Sequence, residues 1–468
     1  MASASASAVF LGFAPRFQNG TELLLLLQKK VTSFLLLSLG LSSILLLLTW
    51  GASSNTFMFT PKQALSDSAP SPGYPKITDD LTPIITYGEA VLPSGNLIAD
   101  NSTATVSSQV PNSNSSPIIE PCDMSTGKWV RETREPIYSN LTCPFIPENK
   151  NCQQHGKSPG YLYWRWKPDG CDLPWFEPNR FLSVVRGKTF AFVGDSLARN
   201  HFDSLVCLLS QAEVPTNGDR NPYKRFLKVH FPSSNFTVMM IWTEFYVLGM
   251  PRTNASTSFD IHLDKINTAW TSRLPSLDYL VISGGNWLYR KNYLYESNKL
   301  IGCVYCRGEN LTEYSLPYVI RRVVRKALES IQSCQNCDKL MTFLRSHTTS
   351  HFEKGSWFNG GFCNRTEPLN ESELDFDAIE WEIRKIQKEE IERIKQFDGI
   401  GDTNRNKRYK WLDVTKAMMI RADGHPGKYY NKEYSRSAYD CLHWCLPGPV
   451  DMWNEMLMLN LINTSSLD

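Results

Sequence analysis

The stretch "TFAFVGDSLARNH", Thr189–His201, decides how the rest of the chain is read. Thr189–Gly194 is a short, continuous apolar run, as expected of a strand buried on both faces. Gly194 permits a tight turn, and a helical segment follows over Leu197–Ser210. The same grammar recurs downstream. Strand-like runs lie at Thr237–Trp242, Tyr279–Gly285, Leu340–Ser346 and Trp411–Thr415, with helical segments at Pro317–Ser333 and Leu374–Phe397. In the last of these Ile379, Ile383, Ile386, Ile394 and Phe397 trace one apolar face, which reads as core packing. Strands alternating with helices predict a mainly parallel sheet covered on both faces.

In such a sheet, chemistry gathers at the carboxyl ends of the strands. Ser196 stands there, where its hydroxyl is presented beside helix-terminal amides able to stabilise an oxyanion. Taken alone, Gly-Asp-Ser reads as merely a helix N-cap. What changes the balance is "YDCLHWCLPG", Tyr439–Gly448. A serine needs a base to take its proton, and the base needs a third group to fix its tautomer. Asp440-x-x-His443 supplies both from one loop, and disulfides at Cys441 and Cys445 would clamp that loop to the domain. In "VISGGNWLYR", Val281–Arg290, Gly284-x-Asn286 offers a backbone N–H and a side-chain amide to an oxyanion hole. "DGHPG", Asp423–Gly427, holds another histidine, His425, but its glycines and proline mark a turn rather than a base.

The chain has 468 residues, 42% of them apolar, and a formal net charge of +2, which gives no case for nucleic-acid binding. Val31–Trp50 is an uncharged run long enough to cross a ~30 Å hydrocarbon core as a helix. Lys29 and Lys30 precede it, whereas the next basic residue after it is Lys62, so residues 1–30 are expected in the cytosol and everything after Trp50 in the lumen. Asn-x-Ser/Thr acceptors at Asn101, Asn114, Asn140, Asn235, Asn254, Asn310, Asn364, Asn370 and Asn463 agree with a luminal, glycosylated chain. Residues 51–120, rich in Ser, Pro, Asn and Thr, read as a flexible stem. Residues 121–185 form a Cys/Trp-rich subdomain and 186–468 the catalytic domain. All twelve cysteines follow residue 120 in an oxidising compartment, so the C-x-x-C pairs Cys303/Cys306 and Cys334/Cys337 favour disulfides over zinc, and no metal is expected.

"VGDSLARNH", "SGGNW" and "DCLHWCLPGPVDMWNEML", with the segment from "PCDMSTGKWV" to "YWRWKPDGCDLPWFEP", together resemble the plant trichome birefringence-like polysaccharide O-acetyltransferases, of the broader Gly-Asp-Ser-Leu or SGNH hydrolase-like group. The resemblance covers about Cys122 to Met458. It implies an α/β fold, an SGNH-hydrolase-like three-layer sandwich, preceded by the disulfide-braced subdomain and the transmembrane anchor. It implies a type II Golgi membrane enzyme that acetylates wall polysaccharide, leaning towards xyloglucan or mannan-type hemicellulose.

By the same resemblance Ser196 is the nucleophile, His443 the general base and Asp440 its orienting acid, while Gly194, Asp195, Arg199, Gly285 and Asn286 serve the oxyanion or substrate. It also implies the bridges Cys122–Cys171, Cys143–Cys207, Cys152–Cys445 and Cys363–Cys441. One departure stands out: the family usually has Gly-His-Trp where this chain has Gly285-Asn286-Trp287. No glycine-rich motif for coenzyme A is visible, so no bound cofactor is expected. The partners are a polysaccharide acceptor and an acetyl donor, either derived from acetyl-CoA or delivered through a separate membrane protein. Tyr161, Tyr163, Trp164, Trp166 and Trp175, with Arg165 and Lys167, either line a glycan groove or build the subdomain core. An acetyl esterase with the same triad and a non-catalytic glycan-binding protein are the alternatives.

Overall fold

A computed structural model of the chain describes residues 123–217, 224–253, 257–398, 408–430 and 439–465. The expected cytosolic tail (1–30), membrane helix (31–50) and stem (51–120), together with Cys122, Asn254 and the side chain of Phe397, lie outside the described residues.

Strands β1 (Gly127–Arg131) and β2 (Trp164–Pro168) form an antiparallel ribbon. Helix α1 (Pro178–Val184) leads into β3 (Thr189–Gly194), and α2 (Ser196–Leu209) follows after one residue. Next come β4 (Phe226–Phe231), β5 (Phe236–Trp242), β6 (Val247–Pro251), β7 (Phe259–Ile266), β8 (Tyr279–Ser283), β9 (Asn292–Glu296) and β10 (Lys299–Val304). The chain closes with α3 (Leu316–Gln332), β11 (Met341–Arg345), α4 (Ile379–Asp398), β12 (Tyr409–Leu412), α5 (Thr415–Ile420) and α6 (Asp451–Ser465).

The central sheet runs β12-β11-β8-β3-β5-β4; the first five strands are parallel and β4 is an antiparallel edge. Its side chains separate by the two-residue period of a pleated strand. Phe190 and Phe192 enter one core with Val238, Met240, Val281 and Phe343, under residues of α2 and α6. Ala191 and Val193 point the other way, with Ile241, Leu280, Ile282 and Leu344, under α3 and α4. Each large apolar side chain buried in this way contributes about 1.5–3 kcal/mol, and burial on both faces explains why β3 is apolar at successive positions.

Several boundaries differ from the sequence pattern for local reasons. The helix expected from Leu374 begins at Ile379, because a capping box at Asn370 closes a short turn and Asp375 accepts the Asp377 N–H. The strand expected to reach Gly285 stops at Ser283, since Gly285 has φ +129°. Trp411–Thr415 is displaced to β12, with Ser346 Oγ accepting the N–H groups of Val414 and Thr415 as α5 opens. A second sheet, β10-β9-β7-β6, had no forerunner in the sequence reading.

Disulfides join Cys143 to Cys207, Cys152 to Cys445 and Cys363 to Cys441. The two C-x-x-C pairs close on themselves, Cys303 with Cys306 and Cys334 with Cys337. Cys171 is also disulfide-bonded.

Candidate active site

Ser196 opens α2 at the carboxyl end of β3. Every other residue of that helix is buried, and Ser196 alone is half-exposed. The turn that delivers it is built for close approach. Gly194 has φ +155°, and a Cβ there would lie 1.7 Å from the Ser283 carbonyl oxygen of β8, so no side chain fits. Asp195 caps the helix: its Oδ1 accepts the Leu197 N–H at 3.0 Å. Its other oxygen, Oδ2, accepts the Asn286 N–H at 3.1 Å and the Asn286 side-chain amide at 3.2 Å. Asn286 therefore stands beside the serine turn, with its backbone N–H and one amide hydrogen engaged by Asp195. The N–H groups of a helix's first turn have no partner within the helix, and that of Ser196, the first residue of α2, is one of them.

Arg199, one turn on, lies elsewhere. Its guanidinium is buried, paired with Asp203 at 2.6 Å and bonded to the Lys224 carbonyl at 3.3 Å, while Lys150 holds the second Asp203 oxygen at 2.9 Å. This is an internal charge cluster anchoring the Cys/Trp-rich segment to α2.

Asp440 and His443 are joined within their loop. His443 Nδ1 donates to Asp440 Oδ2 at 2.8 Å, and Asp440 Oδ1 accepts the N–H groups of His443 (3.0 Å) and Leu442 (3.2 Å). Burial works against charge on Asp440, but the His443 ring and these donors outweigh it and hold the carboxyl well below the usual range. With Nδ1 committed, Nε2 is the nitrogen left to take a proton.

The loop is brought to Ser196 through Asn200, which lies one helical turn beyond the serine. Asn200 Oδ1 accepts the Trp444 N–H at 2.8 Å, and its amide donates to the Trp444 carbonyl at 3.2 Å. The residue after His443 is thus stitched to the face of α2 that carries Ser196. Among the described residues no hydrogen bond joins Ser196 Oγ to His443; contacts of this kind commonly tighten only in the reacting complex.

Behind the loop lies the segment read as a turn. Gly427 and Asp440 exchange backbone hydrogen bonds, both 2.8 Å, and Cys445 N–H donates to the Gly424 carbonyl at 3.0 Å. Between them the buried His425 donates from Nδ1 to the His443 carbonyl at 2.7 Å and stacks on Trp444 at 4.0 Å. Asp423 is held in a buried pair with Arg421 at 2.8 Å. His351 donates its N–H to the Cys441 carbonyl at 2.9 Å. Neither His351, His425 nor Asn200 was singled out by the sequence as part of the site. The adjacency of the turn to the Asp440–His443 loop is a long-range fact; only the presence of a histidine inside a glycine–proline turn signalled it.

The aromatic set behaves chiefly as scaffold. Tyr161 and Trp166 are buried, and Trp166 donates to the Met124 carbonyl at 3.0 Å. Arg131 covers Trp164 at 4.1 Å, and Arg134 and Arg165 cover Trp175 at 4.6 and 4.1 Å, so those ring faces already carry guanidinium groups. Tyr163 bonds Glu135 at 3.0 Å.

Comparison with known proteins finds a GDSL/SGNH-like acyl-esterase family, found in Pmr5 and Cas1p, whose model matches residues 173–460. A PMR5 N terminal domain model matches residues 120–172. Xyloglucan O-acetyltransferase 3 of Populus trichocarpa is 45% identical, over 72% of this chain and 85% of its own length. Xyloglucan O-acetyltransferase 2 of Arabidopsis thaliana is 41% identical, over 73% of this chain and 83% of its length. Protein trichome birefringence-like 26 of Arabidopsis thaliana is 37% identical, over 73% and 77%.

Proposed function

The chain belongs to the GDSL/SGNH-like acyl-esterase family and, within it, to the trichome birefringence-like polysaccharide O-acetyltransferases, and on that premise we propose that it transfers acetyl groups to hydroxyls of a xyloglucan-type hemicellulose. The reading of the acceptor is supported by relatives named for xyloglucan acetylation.

The reaction is a double displacement on Ser196. His443 Nε2 takes the Ser196 proton as Oγ attacks the acetyl carbonyl of the donor. The tetrahedral oxyanion is met by the Ser196 N–H and by the second amide hydrogen of Asn286, the first being held by Asp195. Collapse breaks the bond to the donor's leaving group, which takes the proton from His443, and leaves acetyl-Ser196. A sugar hydroxyl then attacks this ester while His443 accepts its proton; collapse returns that proton to Ser196 Oγ and releases the acetylated glycan. Asp440 keeps the imidazole in the tautomer that leaves Nε2 free and stabilises the imidazolium at each step. The observation that carries this reading is the pair of hydrogen bonds between Asn200 and Trp444, which ties the base loop to the helix whose one accessible residue is Ser196.

We extend the proposal to the chain's setting: a type II Golgi enzyme anchored by residues 31–50 and held off the membrane by 51–120, with a three-layer SGNH-like catalytic domain. The exposure of Asn235, Asn310, Asn364, Asn370 and Asn463 supports glycosylation at those positions. The acetyl donor reaches Ser196 from outside the chain, through a separate membrane protein.

The test is an acceptor screen. Full-length protein from a glycosylating host is given an acetyl donor and, separately, xyloglucan, glucomannan, xylan and pectin oligosaccharides, and acetyl gain is scored by mass spectrometry. Gain on xyloglucan, abolished by Ser196→Ala, is expected. Ser196-dependent loss of acetyl from pre-acetylated glycans, with no gain on any, would make the protein an esterase.

A further inference from the structure

The histidines behind the catalytic loop raise a problem of proton placement. His425 Nδ1 lies 2.7 Å from the His443 carbonyl, and His351 Nε2 lies 2.9 Å from the Met419 carbonyl. A carbonyl oxygen only accepts, so both of these nitrogens carry hydrogens. The two nitrogens left over, His425 Nε2 and His351 Nδ1, face each other at 2.7 Å. In two neutral rings each would then bear a lone pair, and the contact would be repulsive. One added proton resolves all three contacts at once: each ring keeps its carbonyl, and the nitrogens share the proton between them.

We propose that His351 and His425 share a single proton, forming a cationic brace that positions His443 by its backbone carbonyl. The brace acts at several points of the loop: His425 holds the carbonyl of His443, and the His351 N–H holds that of Cys441. Trp444 stacks on His425 from the loop side, leaving the ring little room to turn.

The charged surroundings are mixed. Burial opposes charge on both rings, Arg365 adds to this at His351 and Lys157 at His425, while Asp423 favours charge on the first and Asp440 on the second. Arg421 faces Asp423 and neutralises part of its effect. The contact between the rings outweighs burial, because removing the proton sets two lone pairs together at 2.7 Å. Burial lowers the proton affinity of each ring taken singly, His351 to about 4 and His425 well below its usual value, so the facing contact holds the shared proton against that penalty. Loss of that proton forces one ring to turn, releasing either the His443 or the Met419 carbonyl.

His351→Gln supplies a neutral donor to His425 Nε2 and removes the need for the proton. The sign of the stability difference against pH then separates a charged from a neutral pair. Folded wild type with a shared proton binds one more proton than folded variant at every pH below the pair's pKa. The unfolded chains differ by one ordinary histidine, which is empty above about pH 7.5. Wild type should therefore lose its advantage over His351→Gln as pH rises from about 6.5, approaching tenfold in the folded-to-unfolded ratio per pH unit. A neutral pair gives the opposite sign, an advantage that grows through pH 6.5 and then levels; a growing or flat difference would overturn the proposal.

Should His351→Gln fail to fold, nitrogen-15 histidine spectra of the full-length wild type decide the matter. A far-downfield proton coupled to one nitrogen of each ring is expected; two facing nitrogens with unprotonated shifts would refute it. Positioning has its own signature in turnover. Wild-type kcat should fall at high pH with acceptor KM unchanged, and this limb should be missing from His351→Gln; an identical limb in both would remove the link to His443. That last part rests on the proposed acetyl transfer, whereas the unfolding and spectroscopic results stand whether or not the chain transfers acetyl groups.

Discussion

Asn200 and Trp444 exchange two hydrogen bonds across 244 residues of sequence, side-chain oxygen to backbone N–H at 2.8 Å and side-chain amide to backbone carbonyl at 3.2 Å. Both residues are buried. Replacing Asn200 by Ala leaves a buried donor and a buried acceptor unsatisfied, at about 1–3 kcal/mol each. Asn200→Ala should lower unfolding free energy by about 2–4 kcal/mol in denaturant titration and reduce kcat more than it raises KM.

The Asp440 carboxylate fixes His443 and is held well below the usual range once the His443 interactions have overcome burial. Asp440→Asn should lower kcat on the order of 10³–10⁴-fold, as the imidazole loses its tautomer and counter-charge. A carboxyl with a depressed folded value adds stability that is present above its unfolded value, near 3.9, and lost as pH falls below it. The stability gap between wild type and variant should accordingly narrow in acid, below about pH 4, as read by unfolding at a series of pH values.

Cys363 and Cys441 close a loop of sequence separation 78. Opening it with Cys363→Ser and Cys441→Ser together should cost about 4 kcal/mol on a chain-entropy account. Because Cys441 lies between Asp440 and His443, kcat should fall as well. Removal of Cys303 and Cys306, which are only 3 apart, should leave acetyl transfer unchanged under conditions where the protein is folded. Equal losses from the two pairs would deny the clamp its special place.

Glu455 tests the interior under α6 in the opposite direction. Burial pushes its carboxyl up to about 8, aided by Asp451 and opposed by Arg165. The folded state thus keeps a proton that the unfolded chain releases above about pH 4.3. Stability from this group is lost as pH rises from there through 8, the reverse of Asp440. Glu455→Gln should be more stable than wild type at pH 7, by on the order of 2 kcal/mol, with the difference shrinking towards pH 5.

How far the sequence disclosed this structure varies with the range of the forces involved. β3 was legible because burial on both faces demands apolar residues at successive positions, and Phe190–Val193 obeys that demand after the partly buried Thr189. The Asp440–His443 pair was legible because its partners are three residues apart. α6 was not read as a helix: Met452, Trp453, Met456, Leu457 and Met458 are all buried, and an element buried nearly all round shows no amphipathic stripe. His425 was read as a turn residue, and it does sit in a turn. Its hydrogen bond to His443 spans 18 residues and that with His351 spans 74, distances over which periodicity says nothing. Asn286 was foreseen beside Ser196, but its commitment to Asp195 depends on β8 lying next to β3.

Acetyl that passes through Ser196 can be caught there. Full-length protein would be mixed with an acetyl donor without acceptor, quenched, digested and examined by peptide mass spectrometry, then chased with xyloglucan oligosaccharide. An acetyl ester on Ser196 is expected that forms in wild type, fails to accumulate in His443→Ala and disappears into the glycan on chasing. Acetylated glycan made at the wild-type rate by Ser196→Ala would contradict it.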